Sequence, residues 1–163
     1  MGAESVSDIG LDLIRHYEGY SATLYRCAAG YLTIGYGHLV REAEREIFLG
    51  GIDEEEAERL LAQDVREAER AVCRLISVQL TQPQRDALIS FCYNLGGAAL
   101  QRSTLRRCVN RREHDRVPQQ FLRWIWAGGR RLPGLIRRRS AEAQLYASAG
   151  CVVCAPARAG AVG

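Results

Sequence analysis

One long amphipathic segment constrains the fold more than any other feature of this 163-residue sequence. It begins at Asp53, a good helix N-cap, which is followed by three glutamates at 54–56. Carboxylates in the first turn favour the positive end of the helix dipole, so we expect a helix over about 54–77. A helix of that length suits a connector between two lobes. Its apolar stripe consists of Ala57, Leu60, Leu61, Val65, Ala68, Val72, Leu75 and Ile76.

The residues before this connector predict one helix and then a β-hairpin. Ser7 or Asp8 can cap a helix that covers about 8–17 and ends at Gly19. From residue 23 to residue 34 the pattern becomes extended, with "TLYRC" and "YLTIGYG" divided by the turn residues "AAG". Two extended runs with such a turn between them are typical of a hairpin.

The residues directly after the connector predict the central helix of a second lobe. Thr81 and Gln84 form a capping-box pattern, and a proline lies between them in the first turn. Gly96 follows the last apolar residue and can end this helix. The core candidates on it are Leu88, Ile89, Cys92 and Tyr93.

Further helical patterns complete the C-terminal half of the chain. Ser103 can cap a short helix that reaches about Asn110. Other helices are expected near 116–126 and 134–148, with "AGGRRLPG" as a flexible loop between them. The order of helix, hairpin, long helix and helical bundle predicts an α+β fold that is mostly α.

We expect one domain over residues 1–150, built of two lobes around a real core. The hairpin lobe covers about 18–52. The helical lobe covers about 81–149, with the helix at 8–17 packed on it. Residues 151–163, "CVVCAPARAGAVG", are expected to form a flexible tail.

The six cysteines do not form the framework of a small disulfide-rich protein. Cys73, Cys92 and Cys108 fall within helical patterns, where a buried reduced thiol is the usual finding. Cys151 and Cys154 have the spacing of half a zinc site, but no second pair accompanies them in the sequence. We therefore expect neither a metal nor a cofactor.

Charge divides the chain into an acidic and a basic half. All 22 basic residues are arginine: residues 1–80 carry eight of them with 15 Asp or Glu, and residues 81–163 carry 14 with four. This division favours either lobes that dock on each other or a basic face for nucleic acid, acidic lipid or bacterial cell wall. No apolar run approaches the roughly 20 residues of a membrane span, and the start lacks a signal-peptide pattern. We expect a protein without a membrane anchor that is made in a cytoplasm.

A carboxyl, a thiol and a hydroxyl are concentrated in "EGYSATLYRCAAGYLTIGYGH", residues 18–38. Cys27 follows Glu18 by nine residues, and Thr33 follows Cys27 by six. Alone, Glu18 is explained as a solvated surface group and Thr33 as a strand residue. Together they form a corner where a helix ends and a glycine-flanked hairpin begins, so that the carboxyl can face groups on two strands.

This segment resembles the signature of the phage-type lysozymes or endolysins, glycoside hydrolase family 24, to which the T-even phage lysozyme belongs. The family pattern is Glu, then Asp or Cys nine residues later, then Thr six residues further. Three later segments also resemble the family in order and spacing. These segments are "AQDV" at 62–65, "LTQPQRDALISFCYNLGGAAL" at 80–100 and "FLRWIWAGGRRLPGLIRRRSAEAQLY" at 121–146. The whole resemblance covers about residues 9–148.

The resemblance implies a lysozyme-like fold and an enzyme that hydrolyses the β-1,4 bond between N-acetylmuramic acid and N-acetylglucosamine in peptidoglycan, for host-cell lysis by a phage or prophage. Such cleavage needs a proton donor for the leaving oxygen and a group that stabilises or traps the oxocarbenium-like centre. Of the three residues, Glu18 can serve as the acid at neutral pH. Thr33 can orient a water, and Cys27 takes the place of a second carboxylate.

Other positions resemble residues that support the family's site. His38 and Asp64 resemble a buried, structural ion pair between the hairpin lobe and the long helix. Asn94 resembles a residue that lines the sugar cleft. One arginine of 137–139 is implied to reach towards Glu18, and the others are expected on a solvated basic face. The remaining substrate-binding candidates are Ser103, Trp124 (which can equally be a core residue), Arg137 and Arg138.

Other functions stay open at this point. A lysozyme-like module could bind cell wall without activity, because Cys27 replaces the usual carboxylate, and a lytic transglycosylase could act through Glu18 alone. A nucleic-acid binder lacks support from any groove-entering motif or aromatic platform in the sequence. The family implies peptidoglycan as the substrate and a separate holin-type membrane protein that releases the enzyme into the periplasm. We expect a monomer.

Overall fold

The elements follow the predicted order: a helix, a β-hairpin, a long helix and then a group of helices. The structure, a computed structural model, describes residues 5–149. The expected tail at 151–163, with its cysteine pair, lies outside the described residues. The prediction of an α+β fold that is mostly α is confirmed.

The first helix is fixed by its cap. Helix α1 spans Asp8–Glu18, and Ser7 is its N-cap. The Ser7 hydroxyl accepts from the backbone N–H of Gly10 and donates to the carboxylate of Asp86, so the cap also anchors α1 to a later helix. Gly19 ends α1 with a φ of 70°, which favours glycine. The helix continues one residue beyond the predicted end.

The hairpin lobe contains three strands instead of the two expected. Strand β1 spans Ser21–Arg26, β2 spans Leu32–Gly35 and β3 spans His38–Leu39, in one antiparallel sheet of that order. Thr33 of β2 lies opposite Tyr25 of β1. Because β3 has two residues, it is too short to show an alternating pattern in the sequence.

A 3-10 helix at Glu42–Phe48 precedes the long connector and was not predicted. Helix α2 spans Glu54–Leu75, and the Asp53 side chain caps it by accepting from the N–H of Glu56. Ile76, expected inside the helix, is its C-cap. The buried side chains of the predicted stripe are Ala57, Leu60, Leu61, Val65, Ala68, Val72 and Leu75.

Helix α3, Gln82–Leu95, is the centre of the helical lobe. Thr81 and Gln84 form the predicted capping box, and Gly96 ends the helix. Helix α3 packs against α1 and α2, and Leu88, Ile89 and Cys92 are buried as expected. Tyr93 is half-buried and packs against the same core.

Within the described residues, which end at position 149, four helices follow α3, one more than predicted. The additional helix has six residues and directly follows the glycine that ends α3. The helix expected near 116–126 is shorter, with five residues. The four are α4 (Gly97–Arg102), α5 (Thr104–Asn110, capped by Ser103), α6 (Val117–Phe121) and α7 (Pro133–Ser148).

The segment predicted to be a flexible loop before α7 forms a second, two-stranded sheet. Strand β4 spans Trp126–Ala127 and pairs antiparallel with β5, Arg130–Arg131. The turn between them consists of Gly128 and Gly129, with φ of 55° and 74°. Two consecutive positive φ values are what a tight hairpin turn requires, and glycine adopts them without strain.

The connector joins two apolar clusters. Helix α2 contacts β2 and β3 on one side and α3 and α4 on the other. Leu60 packs in the smaller cluster with Ile34 and Val40, whereas Leu61 packs in the larger cluster of the helical lobe. Cys73 is exposed and not buried as predicted, because its position on α2 lies off the apolar stripe. None of the helices between residues 5 and 149 combines the length and apolar character of a membrane span.

We expect Gly10→Ala to destabilise the protein. An added Cβ would lie 2.5 Å from Cγ2 of Val6 and 2.9 Å from Cβ of Asp86. The expected loss is about 1–3 kcal/mol for overpacking, although alanine favours a helix by about 1 kcal/mol. Urea unfolding measures the difference. Gly50→Ala is the control, since no described heavy atom lies within 4 Å of its added Cβ. A raised unfolding midpoint for Gly10→Ala would contradict the close approach.

Candidate active site

Glu18 lies at the end of α1, where the helical lobe meets the sheet. Its Oε1 accepts a hydrogen bond of 2.6 Å from Nη1 of Arg138. On the other side the chain comes so close that a Cβ on Gly37 would lie 3.1 Å from Oε2 of Glu18. Gly37 has a φ of 87°, so both its conformation and this contact require glycine. The Glu18 side chain is 20% exposed, which leaves it oriented yet reachable.

Cys27 and Thr33 lie together on the hairpin. The backbone N–H of Cys27 donates to the carbonyl of Tyr31, and the Thr33 hydroxyl donates to the same carbonyl at 3.1 Å. Burial raises the pKa of the Cys27 thiol, but hydrogen bonds from the backbone of Ala29, Tyr31 and Gly30, with a further contribution from neighbouring Thr33, outweigh it, and the pKa is lowered. Thr33 is 2% exposed, so its hydroxyl is shielded from open solvent.

Tyr25 connects these two parts of the site. Burial raises the pKa of Tyr25, and the negative charges of Glu18 and Cys27 raise it further. Tyr25 also lies opposite Thr33 in the sheet. Glu18 and Cys27 therefore both lie close enough to Tyr25 to affect its ionisation, and Thr33 is paired with Tyr25 across the sheet.

An open cavity of about 1260 Å³ lies between the sheet and the helices beside this site. Its walls include β2–β3 residues, the middle of α2, and residues 96–98. Gly37 lines the cavity and also contacts Glu18, so the carboxylate adjoins the cavity without being part of its wall. The volume exceeds that of sites for small molecules and suits a segment of a polymer.

His38 and Asp64, the predicted pair, are in contact across this cavity wall. Nδ1 of His38 lies 2.9 Å from Oδ2 and 3.1 Å from Oδ1 of Asp64, and the contact joins β3 to α2. The hydrogen bond with Asp64 raises the pKa of His38, and burial opposes it. Both side chains are mostly buried, at 16% and 27% exposed.

Arg138 is the arginine of α7 that reaches Glu18. The prediction of an exposed Arg139 was wrong. Arg139 was expected on a solvated basic face, but it is completely buried and its Nη2 donates to Oδ1 of Asn94 at 2.8 Å. Burial lowers the pKa of Arg139 to about 10. Its guanidinium faces the carboxylate of Glu142, which lies three residues further along the helix.

The other substrate-binding candidates are Ser103, Trp124 and Arg137. Ser103 is 3% exposed, and its hydroxyl donates to the carbonyl of Leu100 while it caps α5, so we assign it to capping and not to substrate. Trp124 meets Phe91 edge-on at 5.4 Å between ring centroids and packs on the core, which favours the core explanation. Arg137 has an exposed side chain, and its carbonyl accepts from Tyr17.

Sequence reasoning missed two residues that shape the site. Gly37 was read as part of a glycine-rich strand, although its close contact with Glu18 depends on the tertiary fold. Glu142 was not singled out, although its spacing of four and three residues from Arg138 and Arg139 is a signal for helical ion pairs. Among the described residues, no three His, Cys, Asp or Glu side chains are grouped to hold a metal.

The two-lobed fold and a glutamate at the junction of the lobes define a lysozyme-type glycoside hydrolase. The phage lysozyme family matches residues 15–142, and the chain belongs to that family.

Relatives and solved structures agree with this assignment. The chain is 38% identical to the endolysin of Acyrthosiphon pisum secondary endosymbiont phage 1 over 88% of its own length and 99% of that protein. It is also 38% identical to the endolysin of Bacillus phage B103 over 87% of its own length, but it spans only 54% of that relative. The structure of the endolysin from Escherichia coli O157:H7 phage FAHEc1 superposes with a TM-score of 0.80 at 34% identity, covering 91% of this chain and 96% of that one.

The contact between His38 and Asp64 should be measurable in stability. A double-mutant cycle with His38→Asn and Asp64→Asn is expected to give an interaction of about 1–3 kcal/mol. Because the folded pKa of His38 is raised, its contribution is full below the unfolded value near pH 6.5 and fades as pH rises through the folded value. Unfolding free energies at several pH values test this. Additive effects, or the same pH dependence in Asp64→Asn, would contradict it.

Proposed function

We propose that this chain is an endolysin that hydrolyses the β-1,4 bond between N-acetylmuramic acid and N-acetylglucosamine in peptidoglycan. The observation that carries the proposal is Glu18, held by Arg138 beside the cavity and acting, like Cys27, on the same residue Tyr25. The likeness to an endolysin over 99% of that relative's length supports it further.

Glu18 donates the proton to the leaving glycosidic oxygen. Its Oε1 is occupied by Arg138, whereas Oε2 faces Gly37, which lines the cavity. Oε2 is therefore the oxygen from which the proton is transferred. A positioned carboxylic acid of this kind lowers the barrier to breaking the glycosidic bond.

Cys27 and Thr33 position the water that attacks the anomeric carbon. The hydrogen bonds that lower the pKa of Cys27 stabilise its thiolate, which can take a proton from that water. Thr33 orients the sulfur and, with it, the water. Direct attack by water on the face opposite the leaving group gives inversion of configuration.

In this proposal the enzyme is a monomer that waits in the host cytoplasm until a separate holin-type membrane protein releases it to periplasmic peptidoglycan. Residues 1–150 act as one domain. The endolysin relatives support the lytic role, and the arginine-rich half at 81–163 suits a wall that carries peptide carboxylates.

Incubation of the full chain with purified peptidoglycan tests the reaction. Analysis of fragment masses and end groups should show new reducing ends, as hydrolysis requires. Anhydro-muramic ends would show a lytic transglycosylase, and an absence of fragments despite binding would show a wall-binding module.

Glu18→Gln should abolish nearly all lytic activity with the fold intact. The amide keeps the size and hydrogen bonding of the carboxyl but has no proton to transfer, so the rate is expected to fall by about 100-fold or more. Turbidity clearing measures the rate, and circular dichroism checks the fold. Glu55→Gln, at an exposed position in the first turn of α2, is the control and should keep the parent rate. A folded Glu18→Gln retaining a tenth of the rate would remove Glu18 as the acid.

Variants at Cys27 distinguish water activation from covalent attack. Cys27→Asp should be active, because a carboxylate can also hold the water and accept its proton, whereas Cys27→Ala should be badly impaired. Cys73→Ala, at an exposed cysteine of α2, is the control and should match the parent. Rapid NMR of the first product from the β-linked substrate should show the α-anomer. A β-anomer, or a covalent adduct on Cys27 in mass spectrometry, would show retention instead.

A further inference from the structure

One buried carboxylate lies between the two buried arginines of α7. Glu142 is completely buried, and its Oε1 accepts from the Ser90 hydroxyl at 2.7 Å and lies 3.3 Å from Nε of Arg138. Its Oε2 lies 3.1 Å from Nε of Arg139. That second approach is not aligned as a hydrogen bond, because both atoms lack a hydrogen-bond partner among the described residues. Each oxygen of Glu142 thus faces one guanidinium.

The outer ends of the same two arginines hold residues of the site. Nη1 of Arg138 donates to Glu18 at 2.6 Å, and Nη2 of Arg139 donates to Asn94 at 2.8 Å. Both arginines are at most 3% exposed, so neither can exchange these partners for bulk water. Their inner ends converge on Glu142.

We propose that Glu142 is a positioning residue that fixes Glu18 through Arg138 and Asn94 through Arg139. The inference rests on the proposed function, because it assumes that Glu18 is the acid and that Asn94 lines the sugar cleft.

The geometry of Arg138 shows how this positioning works. Nε is held by Glu142, Nη2 donates to the carbonyl of Ser90 at 3.3 Å, and Nη1 alone reaches Glu18. Guanidinium groups prefer to bind a carboxylate through two parallel hydrogen bonds. Glu142 therefore restrains Arg138 to one oxygen of Glu18 and keeps Oε2 available for proton transfer. Without this restraint, Arg138 can turn and cover both oxygens.

The negative charge of Glu142 is the second way in which this residue influences Glu18, beside its restraint of Arg138. Among the described residues, the carboxylates in contact with Arg138 are Glu18 and Glu142. Burial raises the pKa of Glu142, while Arg139, Arg138 and Ser90 stabilise the carboxylate. Removal of the Glu142 charge would leave Glu18 as the one carboxylate in contact with Arg138 among the described residues. Among the described residues, Tyr17 and Tyr93 face Arg138 from neighbouring elements, Tyr25 and Tyr93 lie near Glu18, and Ser90 and Cys92 lie near Glu142.

Glu142→Gln tests the inference, since it keeps the shape and removes the charge. We expect kcat on peptidoglycan to fall by about 10- to 100-fold, because a misplaced acid loses orientation. KM should change less than kcat. The alkaline limb of the pH–kcat profile should move to lower pH, because loss of the Glu142 charge leaves the two arginines with less negative charge beside them. Glu142→Asp keeps the charge and should restore the parent pH profile with part of kcat. Parent kcat and pH profile in folded Glu142→Gln would overturn the inference.

A double variant separates positioning from plain stability. Glu142→Gln leaves two buried arginines short of a carboxylate, so it is expected to melt at a lower temperature than the parent. Glu142→Gln/Arg139→Gln removes the excess charge and should recover thermal stability, but kcat should stay low because Arg138 still lacks its restraint. If kcat and the alkaline limb return together with the melting temperature, Glu142 has a structural role only.

Ser90→Ala keeps the test decisive if both variants at Glu142 fail to fold. It preserves every charge and removes the hydrogen bond to Oε1, so a folded protein with kcat reduced by about two- to tenfold is expected. Parent kcat in Ser90→Ala would then overturn the inference. The parent enzyme is assayed in parallel: if it releases no reducing ends, the proposed function fails, whereas an active parent with unaffected variants refutes the positioning role alone.

Discussion

The ion pair between Arg138 and Glu18 is the contact on which the rest of the site depends. It joins residues 120 positions apart, and it brings the C-terminal helix α7 to the end of α1. A buried guanidinium is costly unless its donors are satisfied, so α7 can pack only in the position where Arg138 meets its carboxylates. Helices α1 and α7 also pack against the central helix α3. The packing of the helical lobe therefore also determines the position of Glu18.

The site is assembled from the two lobes, and the connector keeps them in register. The helical lobe supplies the carboxylate, whereas the sheet supplies the thiol, the hydroxyl and the close approach of Gly37. Helix α2 contacts the sheet through two side chains. Leu60 packs in the small apolar cluster, and Asp64, one turn later, binds His38. Neighbouring Leu61 packs in the core of the helical lobe. A rotation of α2 would disturb the packing of both apolar clusters, so α2 cannot rotate relative to one lobe without also disturbing the other.

Signals that are local in the chain predicted local structure well. Ser7, Asp53, and Thr81 with Gln84 each cap the helix that the sequence assigned to them, because a cap needs contacts only within a few residues. Strands of two residues carry too little pattern, so β3 and the hairpin at 126–131 were missed. Arg139 was misplaced because its burial depends on Asn94 and Phe91 of another helix. The residues of the site came from family spacing, but their mutual contacts required the fold.

Because position 27 is a cysteine, the proposed water activation depends on the backbone turn that follows it. A carboxylate is ionised at neutral pH almost anywhere on a surface, whereas a thiol needs hydrogen bonds that favour its thiolate. Here they come from the turn after Cys27 and from Thr33. The turn closes through a 2.8 Å bond from the N–H of Gly30 to the Cys27 carbonyl, at a glycine φ of 85°. Glycine at position 30 and the buried hydroxyl of Thr33 thus belong to the chemistry of the thiol, because they supply the stabilisation that an aspartate would not need.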